Sequence, residues 1–195
     1  MAITTEQIKE LREKTGISVM QCRKVLEESN GDMEKAVILL QKKGSDAAAK
    51  KAERVLKSGR IVSYIHGIGT VGVMIELSSE TDFVSKNEDF QKLAYEIAMQ
   101  IAATNPTYLK KEDINEEEKQ KVLSVLADEV KDKPENIKEK ILNGKLDAYY
   151  KEKILLEQDY IKDPSITINS LINNAINKFG EKIEIARFVR YNVSK

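Results

Sequence analysis

The change of hydrophobic period near Gly59 is the feature that most constrains the fold. Before Gly59, apolar residues recur at the spacing of amphipathic helices, and directly after it they alternate with polar residues as in β-strands. The alternation runs through residues 61–66, pauses at 67–70 and resumes at 71–77, which predicts a β-hairpin. Residues 183–193 alternate again and are predicted to add a third antiparallel strand. Helical segments before the hairpin and between it and the last strand predict an α+β fold.

Residues 1–44 carry three short helical segments with clear boundaries. Thr4 and Ser18 are each followed three positions later by a glutamine, which is a capping-box pattern at a helix start. A third helix is predicted from Asp32 to Gly44, with lysines in its last turn where cations suit the helix dipole. Three helices in this length predict a compact module of the ubiquitin-associated type.

A basic linker helix is predicted over residues 45–58. The stretch 42–60 has seven cations against two acids, a local net charge of +5. Apolar residues alternate with these charges and no aromatic residue is interleaved for base stacking, so a solvated helix face is favoured over a nucleic-acid surface. The whole chain has 32 basic and 32 acidic residues, which also argues against a partner held by phosphate charge.

Composition limits the chemistry of the chain. One cysteine and one histidine provide neither an internal disulfide nor a ligand set for structural zinc, so no metal is expected. No apolar run approaches the length of a membrane span, and residues 1–6 lack the basic start and apolar stretch of an export signal. A cytoplasmic protein with no membrane partner is therefore expected.

The glycines at residues 67–72 match the G-x-G-x-x-G pattern of dinucleotide-binding proteins. That site requires a helix after the glycines, whose N-terminus meets the pyrophosphate, whereas here a second strand follows. We therefore predict turn glycines and no cofactor. His66 is a lone imidazole, which favours a packed or interface residue over a catalytic base. These patterns do not predict an enzyme.

The third predicted region, residues 59–195, is an α+β core. A helix over residues 87–104 carries a continuous apolar stripe that is typical of core packing. Two highly charged helical segments at about 115–152, separated at Lys133-Pro134, predict a protruding helical hairpin. Asp163-Pro164-Ser165 is predicted to open a further short helix before the last strand.

Phe83 is a large aromatic residue among polar neighbours, at the point where a strand gives way to a helix. An exposed ring beside the carboxylate of Asp82 would suit an interface anchor. Alternatively, Phe83 and Val84 could both turn inward as a hydrophobic staple. The local pattern leaves both interpretations open.

The segment Thr81-Asp82-Phe83-Val84 resembles the Thr-Asp-Phe-Val signature of the elongation factor Ts family. Residues 11–16 and 20–26 resemble the opening of that family, residues 63–67 resemble its Tyr-x-His-Gly strand, and residues 186–191 resemble its ending, so the similarity covers nearly the whole chain. Gln21 stands where the family usually has an acid, and Ile17-Ser18-Val19 replaces small residues and a methionine.

The resemblance implies guanine-nucleotide exchange on elongation factor Tu, bound in its GDP-loaded and nucleotide-free forms, without bond-making chemistry. It implies that one motif disturbs the magnesium and phosphate site of the GTPase: Thr81, Asp82, Phe83 and Val84. It implies that three residues of the N-terminal module dock on the GTPase domain: Arg12, Val19 and Met20. His66 is a possible further interface residue.

The chain resembles the short form of the family, with one copy of the core where longer relatives carry two. A homodimer through the core sheet is therefore expected, because the strand at residues 183–193 would leave an apolar face that needs cover. Residues 87–104 of the same chain could cover that face instead. The alternative function is an adaptor that binds a helical or peptide partner through residues 1–44 alone, which would make residues 54–195 dispensable for binding.

Overall fold

The computed structural model describes residues 3–130 and 134–193. These ranges hold eight α-helices, a three-stranded antiparallel sheet and a separate two-stranded pair. The helices are α1 (Thr5–Thr15), α2 (Val19–Glu28), α3 (Met33–Lys51), α4 (Asp82–Ser85), α5 (Glu88–Thr104), α6 (Glu116–Glu129), α7 (Glu135–Lys153) and α8 (Ile168–Phe179). The strands are β1 (Ser58–His66), β2 (Val71–Ser79), β3 (Asp159–Tyr160), β4 (Asp163–Thr167) and β5 (Ile183–Asn192). The predicted α+β class is confirmed.

The main sheet has the order β1-β2-β5, with both neighbouring pairs antiparallel. Its first hairpin pairs Ser58 with Ser79 at one end and His66 with Val71 at the other. A strand and no helix follows the glycine-rich turn at 67–70, as predicted. The three predicted antiparallel strands are therefore confirmed.

The three N-terminal helices begin at the predicted caps. The side chains of Thr4, Ser18 and Asp32 each accept a backbone N–H from the first turn of the helix that follows. The helices enclose a separate small core: Leu11, Ile17, Cys22, Val25, Leu26, Ala36 and Leu40. The specific likeness to a ubiquitin-associated module stays a prediction.

The third helix does not end at Gly44 as predicted. Helix α3 continues through Gly44 to Lys51, and residues 52–57 form no helix, so the bounds of a separate linker helix at 45–58 are wrong. Gly44 is buried against α8, where a Cβ would lie 3.1 Å from the carbonyl oxygen of Asn173. The glycine therefore permits close helix packing and is not a helix stop. The division into residues 1–44 and 59–195 otherwise stays a prediction.

Helices α5 and α8 build the main core on one face of the sheet. Phe90 of α5 is fully buried and lies edge-on to Phe179 of α8, with ring centroids 6.3 Å apart. Apolar residues of β2 and β5 join this cluster, and Val62 and Tyr64 of β1 pack against it. The β2 and β5 residues are Val73, Ile75, Leu77, Ile183 and Ile185. Both helices pack on the same face, and within the described ranges the opposite face of the sheet has exposed apolar side chains and is open.

Residues 163–165 are part of β4, so the predicted start of the helix at Asp163 is wrong, although the helix itself is present. The residue before a proline is biased towards extended backbone, and Asp163 precedes Pro164. Helix α8 instead begins after Thr167, whose hydroxyl accepts the backbone N–H of Ser170.

Helices α6 and α7 contact each other, which agrees with the predicted helical hairpin. Lys133 of the predicted break lies outside the described residues, and Pro134 directly precedes α7. A buried amide connects helix α5 to the segment that follows α7. Gln100 of α5 donates to Gln158 and accepts the backbone N–H of Ile161.

Gly59→Ala is expected to destabilise the protein by about 1–3 kcal/mol, the usual cost of overpacking. A Cβ at Gly59 would lie 2.7 Å from the carbonyl oxygen of Leu77, so the first two strands would have to separate. Gly144→Ala is the matched control, since a Cβ there meets nothing within 4 Å, and alanine in a helix interior should add about 0.5–1 kcal/mol. Urea unfolding measures both changes. Equal stability of Gly59→Ala and the parent would contradict the close approach of the strands.

Candidate partner-binding site

Phe83 and Val84 lie in the single-turn helix α4 and point in opposite directions. The Phe83 side chain is 81% exposed, whereas Val84 is 3% exposed and belongs to the main core. The interpretation in which both residues turn inward is therefore wrong for Phe83. Val84 was predicted to contact a partner, but its side chain is not available at the surface, and it instead anchors the turn that presents Phe83.

Asp82 places a negative charge next to the exposed ring. Lys86, one turn later, donates a hydrogen bond of 2.6 Å to Asp82 Oδ2. This hydrogen bond and the charge of Lys86 lower the pKa of the Asp82 carboxyl. Both side chains are well exposed, so the pair contributes little to stability, but the carboxylate stays ionised.

Thr81 is held by an acid from a distant part of the sequence. Its backbone N–H donates to Glu181 Oε2 at 3.0 Å and its hydroxyl donates to Glu181 Oε1 at 2.6 Å. Glu80 in turn accepts the backbone N–H of Lys182 and a hydrogen bond of 3.1 Å from Arg54. Sequence reasoning missed Glu181, because no local pattern connects two residues 100 positions apart.

Two buried serines fix the other side of the turn. Ser79 donates its hydroxyl to the carbonyl oxygen of Thr81. The hydroxyl of Ser85 lies 2.8 Å from that of Ser58 at the start of β1, and Ser85 also donates to the carbonyl oxygen of Asp82. The turn that carries the exposed ring is therefore held by hydrogen bonds on this side as well.

The three predicted docking residues of the N-terminal module lie on its surface. Arg12 is exposed on α1, and the neighbouring residues Val19 and Met20, in the first turn of α2, are 49% and 84% exposed. The inward stripe of α2 consists instead of Cys22, Val25 and Leu26. Burial raises the pKa of the Cys22 thiol. The docking role of these three residues stays a prediction.

His66 lies at the opposite end of the sheet from Phe83. Because β1 pairs with β2 from Ser58–Ser79 to His66–Val71, about eight residue steps separate His66 from the α4 end, or roughly 26 Å. His66 is exposed, and its Nδ1 lies 2.9 Å from the hydroxyl of Tyr64. The structure does not bring His66 into the Phe83 site.

The open face of the sheet carries several exposed apolar side chains. We call this set the open-face patch: Ile61, Ile65, Met74, Val189 and Tyr191. The register places Met74 between Ser63 and Val189, in the middle of the three strands. An ion pair of 2.7 Å between Glu76 and Arg187 lies on the same face.

A register shift in β5 distributes its apolar residues over both faces. Leu77 pairs with Ile185 and Glu76 with Arg187, so Ala186 is an extra residue in the ladder. Ile183 and Ile185 therefore point into the core, whereas Val189 is exposed on the open face. Helices of the same chain cover the core-facing side chains of the strand, including Phe188, whereas Val189 and Tyr191 on the open face are exposed.

Within residues 3–130 and 134–193, no group of three or more His, Cys, Asp or Glu side chains is arranged to hold a metal ion. Among the helices of those same ranges, none combines the length and the apolar character needed to cross a bilayer.

Comparison with known proteins gives matches along the whole chain. The sequence model of the family described as Elongation factor TS matches residues 3–195. The chain is 47% identical over 195 residues to Elongation factor Ts of Thermotoga maritima, covering 100% of this chain and 98% of the relative. It is 49% identical over 196 residues to Elongation factor Ts of Thermodesulfovibrio yellowstonii, with 100% and 98% covered. The protein of the same name from Carboxydothermus hydrogenoformans is 47% identical, with 99% and 90% covered.

Proposed function

The chain belongs to the elongation factor Ts family, and we propose that it is a guanine-nucleotide exchange factor for elongation factor Tu. It binds the GDP-loaded GTPase in the cytoplasm, promotes GDP release and remains bound to the nucleotide-free form. The observation that carries this proposal is the 81% exposed ring of Phe83 beside the ionised Asp82, on a turn anchored by the core.

The proposed mechanism is negative coupling between two ligands of the GTPase. Phe83 and Asp82 enter between helices near the magnesium and phosphate site and favour a conformation in which that site is disturbed. GDP with magnesium favours the undisturbed conformation. Each ligand therefore weakens the binding of the other by the same factor, and the nucleotide leaves faster. No covalent bond is made or broken, so the protein needs no catalytic group of its own.

Release of a fluorescent GDP analogue from elongation factor Tu tests the proposal. The analogue is bound first, excess unlabelled GDP is added, and the fluorescence decay is followed with and without the protein. We expect the release rate to rise with protein concentration and to saturate. An unchanged rate at concentrations where the two proteins associate would exclude exchange.

The alternative function, an adaptor that uses residues 1–44 alone, is less well supported by the packing. Helix α3 belongs to the N-terminal core through Leu40 and also packs against α8 through Gly44. The module therefore shares a packed helix with the core that carries Phe83. Binding by residues 1–58 as tightly as by the full chain would favour the adaptor.

The N-terminal module is proposed to provide affinity, and the α4 turn to accelerate release. Changing Arg12 and Met20 together to alanine is expected to raise the Kd for elongation factor Tu about tenfold, as for loss of moderate interface contacts. The release rate in the saturated complex should not change. Stopped-flow titration separates the two quantities.

Arg23 and Ile38 provide the matched control for that double variant. Arg23 is exposed on α2 and Ile38 is 62% exposed on α3, and neither is a proposed docking residue. Their double alanine variant should bind as the parent does. Equal affinity of both double variants would remove Arg12 and Met20 from the docking surface.

A homodimer through the open-face patch is proposed as the assembled form. The patch is apolar across all three strands, and α5 and α8 occupy the other face of the sheet. In a symmetric pair the same patch of each copy covers that of the other, and two Phe83 rings remain available to two GTPases.

A further inference from the structure

Two carboxylates connect the turn that presents Phe83 to the segment just before the last strand. One carboxylate belongs to each of the two segments, and each accepts hydrogen bonds from the other segment. Glu181, just before β5, accepts both the backbone N–H and the hydroxyl of Thr81. Glu80, just before Thr81, accepts the backbone N–H of Lys182. Each acid therefore binds the backbone of the segment that carries the other. We call this four-residue arrangement the carboxylate clamp: Glu80, Thr81, Glu181 and Lys182.

We infer that Glu181 is a positioning residue for nucleotide exchange, because it holds the α4 turn, through Thr81, in the orientation that presents Phe83. This inference rests on the proposed exchange function. Glu181 is not proposed to contact the GTPase or the nucleotide.

The turn needs such support because α4 is a single helical turn. Helices this short are unstable alone, since one turn of hydrogen bonds does not offset the ordering of the backbone. Thr81 occupies the N-cap position, yet it makes no side-chain cap hydrogen bond. Its hydroxyl is instead committed to Glu181 at 2.6 Å. The clamp therefore fixes the N-cap residue itself, through a carboxylate 100 positions away in sequence.

Two hydrogen bonds to one carboxylate fix the direction of Thr81 better than one. Hydrogen bonds to an ionised carboxylate are shorter and stronger than neutral ones, and a pair of them also restricts rotation. On the other side of the clamp, the hydrogen bond from the Lys182 backbone lowers the pKa of the Glu80 carboxyl. Arg54 and the backbone together keep that carboxylate charged and in place.

Phe83 cannot orient itself, since its side chain is mostly exposed and does not belong to the core. Val84 and Ser85 are buried and hold the C-terminal part of the turn, so the turn should persist without Glu181. The N-terminal part would then sample more orientations. A ring that must be ordered on binding loses part of its interaction energy, which is the advantage of preorganisation. The loss should appear in the release step, where the ring acts.

Glu181→Ala is the direct test, measured with elongation factor Tu carrying a fluorescent GDP analogue. We expect the maximal release rate at saturating protein to fall about tenfold. This is the usual effect of losing one charge-assisted hydrogen bond in the complex from which GDP is released. The half-saturating concentration should stay within about twofold of the parent value, because the N-terminal module provides docking. Thr81→Val removes the hydroxyl and keeps only the backbone N–H as a donor to Glu181, so its release rate should be intermediate between those of the parent and of Glu181→Ala.

Glu184→Ala is the matched control. Glu184 is a nearby carboxylate at the start of β5 that pairs with the Lys182 ammonium at 3.2 Å and makes no contact with Thr81 in the described hydrogen bonds. Its removal changes net charge by the same amount as Glu181→Ala. The release rate of this variant should equal that of the parent.

A double-mutant cycle separates positioning from a general structural role. In a Phe83→Ala background, Glu181→Ala should cause no further loss of release rate, because the group it positions is gone. Additive losses, or a fall in Tm that accounts for the lost activity, would overturn the inference. A parent protein that accelerates release and a Glu181→Ala variant of equal rate would overturn it while leaving the proposed function intact. A parent protein that fails to accelerate release would overturn both.

Discussion

Phe83→Ala should slow GDP release from elongation factor Tu about thirtyfold, which corresponds to about 2 kcal/mol for a central interface anchor. The Phe83 side chain is 81% exposed, so its truncation removes almost no core contact. The free energy of unfolding should therefore stay within about 0.5 kcal/mol of the parent value. Stopped-flow release of a fluorescent GDP analogue measures the first effect, and thermal unfolding measures the second.

Phe90→Ala is the matched control, since it removes the same side chain seven positions later. Phe90 is fully buried against Phe179, and its truncation should cost about 3–5 kcal/mol of stability. Its release activity should fall only as far as the protein unfolds. If Phe83→Ala lowered Tm as much as Phe90→Ala, Phe83 would be a structural residue and the proposed site would be wrong.

Local sequence signals predicted the elements whose ends depend on local chemistry. Thr4, Ser18 and Asp32 start helices because their side chains bind N–H groups of the next turn, within the same segment. The hairpin at residues 61–77 followed from alternation and a glycine-rich turn. Such signals need no knowledge of the rest of the chain.

Features that depend on distant contacts were not predicted. Glycine commonly ends helices, so the sequence predicted a helix end at Gly44. The close packing of Gly44 against Asn173 makes it an interior residue of α3. Alternation in the last strand predicted one apolar face. Because Ala186 is an extra residue in the ladder, Val189 lies on the opposite face of the sheet from Ile185. The packing of neighbouring elements decides both outcomes, and a single sequence does not display it.

The candidate site also has one part that the sequence predicted and one part that depends on distant contacts. The resemblance located Phe83 and Asp82, and the structure shows that the ring is exposed. The contact of Glu181 with Thr81 joins two parts of the chain that have no common sequence pattern. Support for a functional residue is often tertiary in this sense, so it becomes visible only when the strands are paired.

The parent protein should have twice the 22.1 kDa mass of one chain by light scattering, and Met74→Asp should reduce it to a single chain. Met74 lies at the centre of the open-face patch and is 50% exposed, so the charge should be tolerated in the free monomer. In a symmetric dimer the change places two carboxylates in one apolar interface. Their desolvation should raise the dimer Kd on the order of a hundredfold.

Met20→Asp is the matched control, because Met20 is 84% exposed on α2 and lies outside the sheet. This variant should remain dimeric. Its affinity for elongation factor Tu should fall, as expected for the alanine variant of Arg12 and Met20 in the same module. The Met74→Asp variant should still promote nucleotide release from elongation factor Tu, since each chain carries its own Phe83. If the parent protein stays at 22.1 kDa across micromolar concentrations and drives exchange at full rate, the open-face patch does not serve as a dimer interface.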